Sequence, residues 1–149
     1  MATLMVDSDV YSYLQKNNPA HASPYRPHLQ GHTIALSFIT VGEQYAGCLR
    51  KIMRNEWPRS RLQGLEALLL SVVIVPYDIE ICKVFGELRT LKNQDGSDRT
   101  IDTNDLWIAA CAKRYSLTLV TNNRRHFENI PGLNIICEAP RTRATKKRN

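Results

Sequence analysis

At 149 residues, 43% of them hydrophobic and 23% charged, the chain is long enough for one domain with a real core and ordinary enough in composition for a globular protein. Its longest apolar run, Ala67 to Val75, falls well short of the roughly 18–20 residues that cross a bilayer, and the start lacks the basic segment and apolar stretch of a secretory leader, so a soluble cytoplasmic protein without membrane contact is expected. The net charge is +6, yet Arg141, Arg143, Lys146, Lys147 and Arg148 all lie in the last ten residues, which leaves the body near neutral and sets residues 140–149 apart as a basic, disordered tail behind a domain at 1–139.

The elements alternate along the chain. "TLMVDS" reads as a buried strand and "DVYSYLQ" as the helix after it. "KNNPAHASPYRPHLQGH", with three prolines and a glycine, is a loop with one short helix around Tyr25 to Gln30. "TIALSF" is a second strand, and "ITVGEQYAGCLRKIMRN" a helix with apolar residues at Val41, Tyr45, Cys48, Leu49 and Ile52. Pro58 suits the first turn of a helix "PRSRLQGLEALLLS". "VVIVP" is a third strand, and Asp78 an N-cap for "IEICKVFGELRTLKNQ". After the polar loop "DGSDR" come the helix "TNDLWIAACAKRYS" and two last strands, "LTLVT" and "LNIICE". Strands that are apolar throughout and alternate with helices predict an α/β fold, a mainly parallel sheet covered on both sides.

Cys48, Cys82, Cys111 and Cys137 sit in apolar segments with no C-x-x-C spacing, so buried reduced thiols are expected. The four histidines, His21, His28, His32 and His126, have no ligand spacing that favours zinc.

Open parallel sheets bind ligands beyond the carboxyl ends of their strands. Those ends here are polar. Asp7 and Asp9 follow the first strand, Glu43 comes shortly after the second, Asp102 and Asp105 open the late helix, and Asn122 and Asn123 follow the fourth strand. Each has a local explanation. Asp7 or Asp9 could cap the first helix, "TVGE" matches a capping box with Thr40 as N-cap and Glu43 at N3, Asp102 or Thr103 could cap the late helix, and the asparagines could be turn residues. Together they say more. Carboxylates gathered at one edge repel, and a cation among them relieves the repulsion. Oxygen donors without His or Cys point to Mg²⁺ or Mn²⁺. Such an ion serves in-line displacement at phosphorus, with a nucleic-acid phosphodiester as a natural substrate.

The stretches "MVDSDV", "YRPHLQGHTIALSFITVGE", "VPYDIEICKVFGELR", "TIDTNDLWIAACAKRYSLTLVTNNRRHF" and "IPGLNI" resemble the PIN-domain family, specifically its VapC-like toxins. They occur in family order over Leu4 to Ile136, and "NDLWIAA" followed by "LVTNNRRHF" is the most specific pair. The resemblance implies a three-layer α/β/α sandwich, metal-dependent cleavage of single-stranded RNA, a cognate antitoxin and a homodimer. It places the family's acids on Asp7, Glu43 and Asp105, as metal ligands and catalytic residues, and its fourth position on Asn123. Asp9 stands where the family often has Asn or Ser. An amide at 123 leaves three anionic ligands and weakens the case for a second metal.

Two rivals remain open at this point. "MVDSDV" also fits the hhhDxDx[TV] opening of haloacid-dehalogenase-type phosphatases, with Asp7 as nucleophile and Asp9 as acid/base. That chemistry needs a late acidic pair, where this chain has "TNN". The other rival is a catalytically inactive PIN-type module that binds RNA or protein.

Overall fold

The computed structural model describes residues 2–16 and 19–140. The tail expected at 140–149 lies outside them, apart from Pro140.

Five strands form one sheet, β1 (Thr3–Val6), β2 (Thr33–Leu36), β3 (Val73–Ile74), β4 (Thr118–Val120) and β5 (Ile135–Ile136). All pairings are parallel, in the order β3-β2-β1-β4-β5. Period-2 alternation sorts their side chains into two cores. Met5, Ala35 and Leu119 face one side, where they pack with Ile81, Leu88, Leu106 and Ile108. Leu4, Val6, Leu36 and Val120 face the other, against Val10, Tyr11, Tyr25 and Leu29. The result is the expected three-layer α/β/α sandwich.

On the first face lie α6 (Ile79–Arg89) and α7 (Thr103–Arg114). The α7 stretch Ile108–Ala112 is buried at every residue, because its alanines and Cys111 let the helix approach the sheet closely. Phe85 and Trp107 stack at 3.8 Å between centroids, and Arg114 pairs with Asp78 at 2.8 Å. Asp78 caps α6 as expected, accepting from the Ile81 N–H, but α6 ends at Arg89, five residues short of the sequence expectation. On the second face lie α1 (Ser8–Lys16), the short α2 (Pro19–Ala22) and α3 (Arg26–Leu29), then α4 (Phe38–Met53) and α5 (Ser60–Leu69). A final short helix, α8 (Arg124–Phe127), follows β4.

Several local expectations are corrected. The N-cap of α4 is Ser37, whose hydroxyl accepts from the Thr40 N–H at 3.1 Å. Thr40 is therefore buried inside the first turn, and Glu43 is not a capping-box residue. Helix α5 starts at Ser60 after Arg59, so Pro58 sits before the helix. The strand read over "VVIVP" is only two residues long and exposed, an edge strand. Cys48 and Cys111 are buried, while Cys82 and Cys137 are half-buried, all four as free thiols.

Candidate active site

The chain runs outward from β1 to β2 and β3, then returns to β4 and β5 on the other side of β1. The strand order thus reverses between β1 and β4, and the crevice beyond their carboxyl ends is the expected ligand position. The ladder runs one residue past both strands. Asp7 N–H donates to Val120 O and Thr121 N–H to Ile136 O, both at 3.0 Å. Asp7 and Thr121 are thereby fixed side by side at the switch point.

Asp7 is 3% exposed. Its Oδ1 accepts from the Val10 N–H at 3.0 Å and its carbonyl from the Tyr11 N–H, so it caps α1. Its Oδ2 accepts from the Thr121 hydroxyl. Capping and site membership coincide in this residue. Burial pushes the Asp7 carboxyl up to about 7. The Thr121 and Val10 donors work against the shift, and Asp9 and Asp105 add to it.

Asp105 belongs to the first turn of α7, where Asp102 is the N-cap and accepts from the Asn104 and Asp105 N–H groups. Asp105 Oδ2 receives two donors, Asn123 Nδ2 at 3.0 Å and His126 Nδ1 at 2.6 Å. Asn123 is tied in turn to β4, its N–H donating to Thr121 Oγ1 at 3.0 Å. Thr121 thus bridges Asp7 and Asn123, and Asn123 bridges to Asp105.

Glu43 lies in the second turn of α4. Its Oε1 is buried with no hydrogen-bond partner, a costly state for a carboxylate oxygen. Partial burial raises its pKa; the Ser8 hydroxyl opposes this, while Asp105, Asp9 and Asp102 reinforce it. Asp9 stands at the exposed rim, raised by partial desolvation and then by Asp105. Asp7 and Asp9, just after β1, and Glu43 from α4 therefore all feel Asp105. The structure brings Asp7, Glu43 and Asn123 around Asp105 at one edge of the sheet.

Among the described residues, no three His, Cys, Asp or Glu side chains stand close enough to ring a metal ion. The residue types nevertheless fit a hard divalent cation. The donors are oxygens, their charges repel without a balancing cation, and Glu43 Oε1 is buried and unpartnered.

Three contributors escape sequence reading. Thr121 is fully buried and reads as an ordinary strand residue. His126 lacks a second histidine at ligand spacing, although Asn123, the N-cap of α8, and His126 within it lie three residues apart and meet at 2.8 Å. Tyr25 sits in the proline-rich loop, far from any acid in sequence. Its hydroxyl is shared between Asn122 Oδ1 at 2.6 Å and Thr121 O at 3.1 Å, and accepts from the Glu138 N–H at 3.0 Å. Burial pushes that phenol up to about 12, so it stays neutral while it pins the β4 corner.

The model of the PIN domain family matches residues 4–133, most of the chain. The chain belongs to the PIN-domain family. Among curated PIN-domain relatives, "Ribonuclease VapC2" of Rickettsia felis is 32% identical over 130 residues, spanning 87% of this chain and 92% of the relative. The "tRNA(fMet)-specific endonuclease VapC" of Salmonella typhimurium is 28% identical over 135 residues, spanning 91% and 97%. Among solved structures, DNA-bound VapBC from Salmonella typhimurium superposes with a TM-score of 0.73 at 26% identity, covering 92% of this chain and 98% of that one. VapBC2 from Rickettsia felis, bound to a fragment of its promoter DNA, gives 0.70 at 27% identity with the same coverage. Membership in the PIN-domain family sets aside the haloacid-dehalogenase reading, and Asp7 and Asp9 are not a phosphatase pair.

Proposed function

We propose that this PIN-domain protein is a VapC-type toxin, an endoribonuclease that hydrolyses phosphodiester bonds of single-stranded RNA and is restrained by a cognate antitoxin. The observation that carries the reading is the convergence of Asp7, Glu43 and Asp105, each on a different element, at the switch point of a chain whose relatives bear ribonuclease names. Asp7, Asp105 and Glu43 would hold Mg²⁺ or Mn²⁺. When bound there, such an ion would supply polarisation of a phosphate oxygen and a more nucleophilic water at neutral pH.

The chain's own residues prepare the crevice. The Thr121 hydroxyl and Val10 N–H hold the Asp7 carboxylate in one orientation, so no reorientation accompanies the reaction. Asn123 and His126 do the same for Asp105. Glu43 Oε1, buried and unpartnered, is the oxygen free to accept a proton from an attacking water. We assign the nuclease unit to residues 1–139 and a supplementary electrostatic role to the basic tail. The proposal also includes a cytoplasmic homodimer.

Asp7→Asn is nearly isosteric and keeps an acceptor for Val10, so it should fold normally and lose cleavage of single-stranded RNA in Mg²⁺. A gel assay with synthetic RNA reads this directly. Cleavage at the wild-type rate by this variant would remove Asp7 from the site. The inactive binding-module reading, which the amide at 123 favours, predicts no cleavage by either protein.

A further inference from the structure

A cleft of about 290 Å³ opens between α1, α4 and α5, with Glu43 in its wall. It thus begins at the proposed active site and runs away from it along α4. Its far end is built by the way α4 stops. Asn55 takes a left-handed conformation, φ 57°, a common helix stop for asparagine. The chain turns back so that the Glu56 and Trp57 N–H groups both donate to Lys51 O, at 2.9 and 3.3 Å. This brings the Trp57 ring beneath Lys51, whose Nζ lies 4.5 Å from the ring centroid. Arg61, from the first turn of α5, places its guanidinium carbon 4.8 Å from the same ring.

Both cations are therefore oriented by an aromatic surface rather than by an acid. Among the described residues neither is ion-paired with a carboxylate. Lys16 adds a third positive charge, and Glu43 is the one acid among the lining residues. The floor is kept open by two glycines inside helices, Gly47 and Gly64. A Cβ added to either meets nothing within 4 Å, so close packing does not require them. Each costs its helix roughly 1 kcal/mol relative to alanine. An open cleft that carries three cations beside apolar Leu65 and Leu68 and starts at the proposed active site suits the charged backbone and flat bases of the same strand.

On the ribonuclease reading above, we propose that this cleft is a substrate subsite. Lys51 and Arg61, held on Trp57, bind phosphates of the RNA strand that flank the bond cut at Asp7, Glu43 and Asp105. Trp57 is a positioning residue that fixes the two cations.

The test measures binding of a single-stranded oligoribonucleotide in an Asp7→Asn background, which holds RNA without cutting it, over a series of salt concentrations. Removing both charges in K51Q/R61Q should weaken binding at least tenfold at low salt. The plot of log affinity against log salt should flatten by about 1.4, at roughly 0.7 per phosphate contact for a single strand. Because Trp57 is half-buried, its variant is the conservative W57F, checked for an unchanged melting temperature. It should give a smaller loss, with the slope flattened by less. An unaltered slope in K51Q/R61Q overturns the proposal. So does a variant that keeps its RNA affinity and loses affinity for the antitoxin, which would give the cleft to the protein partner. Wild-type protein that neither cuts nor binds RNA would overturn this subsite and the ribonuclease reading together. Wild-type cleavage with an unchanged K51Q/R61Q slope would overturn the subsite alone.

Discussion

Asp7 concentrates the physical cost of the site in one residue. It is buried, flanked by Asp9 and Asp105, and titrates near 7 in the fold against a reference of 3.8. Between those values the unfolded chain has released the proton that the folded protein keeps. In the absence of divalent cation, stability therefore falls as pH rises through this window and levels off above about pH 7. Asparagine carries no such penalty. Asp7→Asn should be more stable than wild type at pH 8, by up to about 4 kcal/mol, with the advantage gone near pH 4. Urea denaturation in a chelating buffer at pH 4.5, 6 and 8 checks this, and a difference that does not vary with pH contradicts it. The carboxylate itself is legible in the sequence, as an acid that ends an apolar strand. Its hydroxyl partner Thr121 is not, because a threonine in a strand has no mark that separates a ligand-orienting group from a β-former.

At the scale of elements, the sequence reading succeeds where a pattern is long. The 3.6-residue period of α7 and the apolar runs of β1, β2 and β4 appear where expected, since burial on both faces leaves little choice of residue. Errors collect at ends and in short pieces. The capping box at Thr40 fails because Ser37, three residues earlier, offers an equivalent hydroxyl to the same turn, and local chemistry alone does not rank the two. The four-residue helices α2 and α8 are held by tertiary contact rather than by their own propensity. The moved cap has a consequence. With Glu43 freed from capping, Glu43→Gln should leave the melting temperature unchanged or slightly raised, since a desolvated, repelled carboxyl is removed. The same change should slow RNA cleavage tenfold or more, a loss of about 1.4 kcal/mol in transition-state stabilisation. Activity within about twofold of wild type would leave Glu43 a packing residue of α4.

Across the whole molecule, the topology brings the acids together. Asp7 and Asp105 are 98 positions apart in sequence, yet Asp7 feels the charge of Asp105, because β4 returns beside β1 and α7 delivers its first turn to the same edge. Parallel strands predict that such an edge exists; they do not give the side-chain network of Tyr25, Thr121, Asn123 and His126 that ties it, since those contacts span loops of unrelated pattern. The central claim is that this anionic edge is built to receive a divalent cation. Thermal denaturation during titration with Mn²⁺ or Mg²⁺ reads it without reference to catalysis, because a ion that binds only the folded protein raises its melting temperature by mass action. The account predicts a clear rise for wild type and a much smaller one for Asp7→Asn. For Asn123→Asp, whose added charge faces Asp105, it predicts a lower starting value and a larger rise than wild type. Equal rises in all three proteins, or none in wild type, would contradict it.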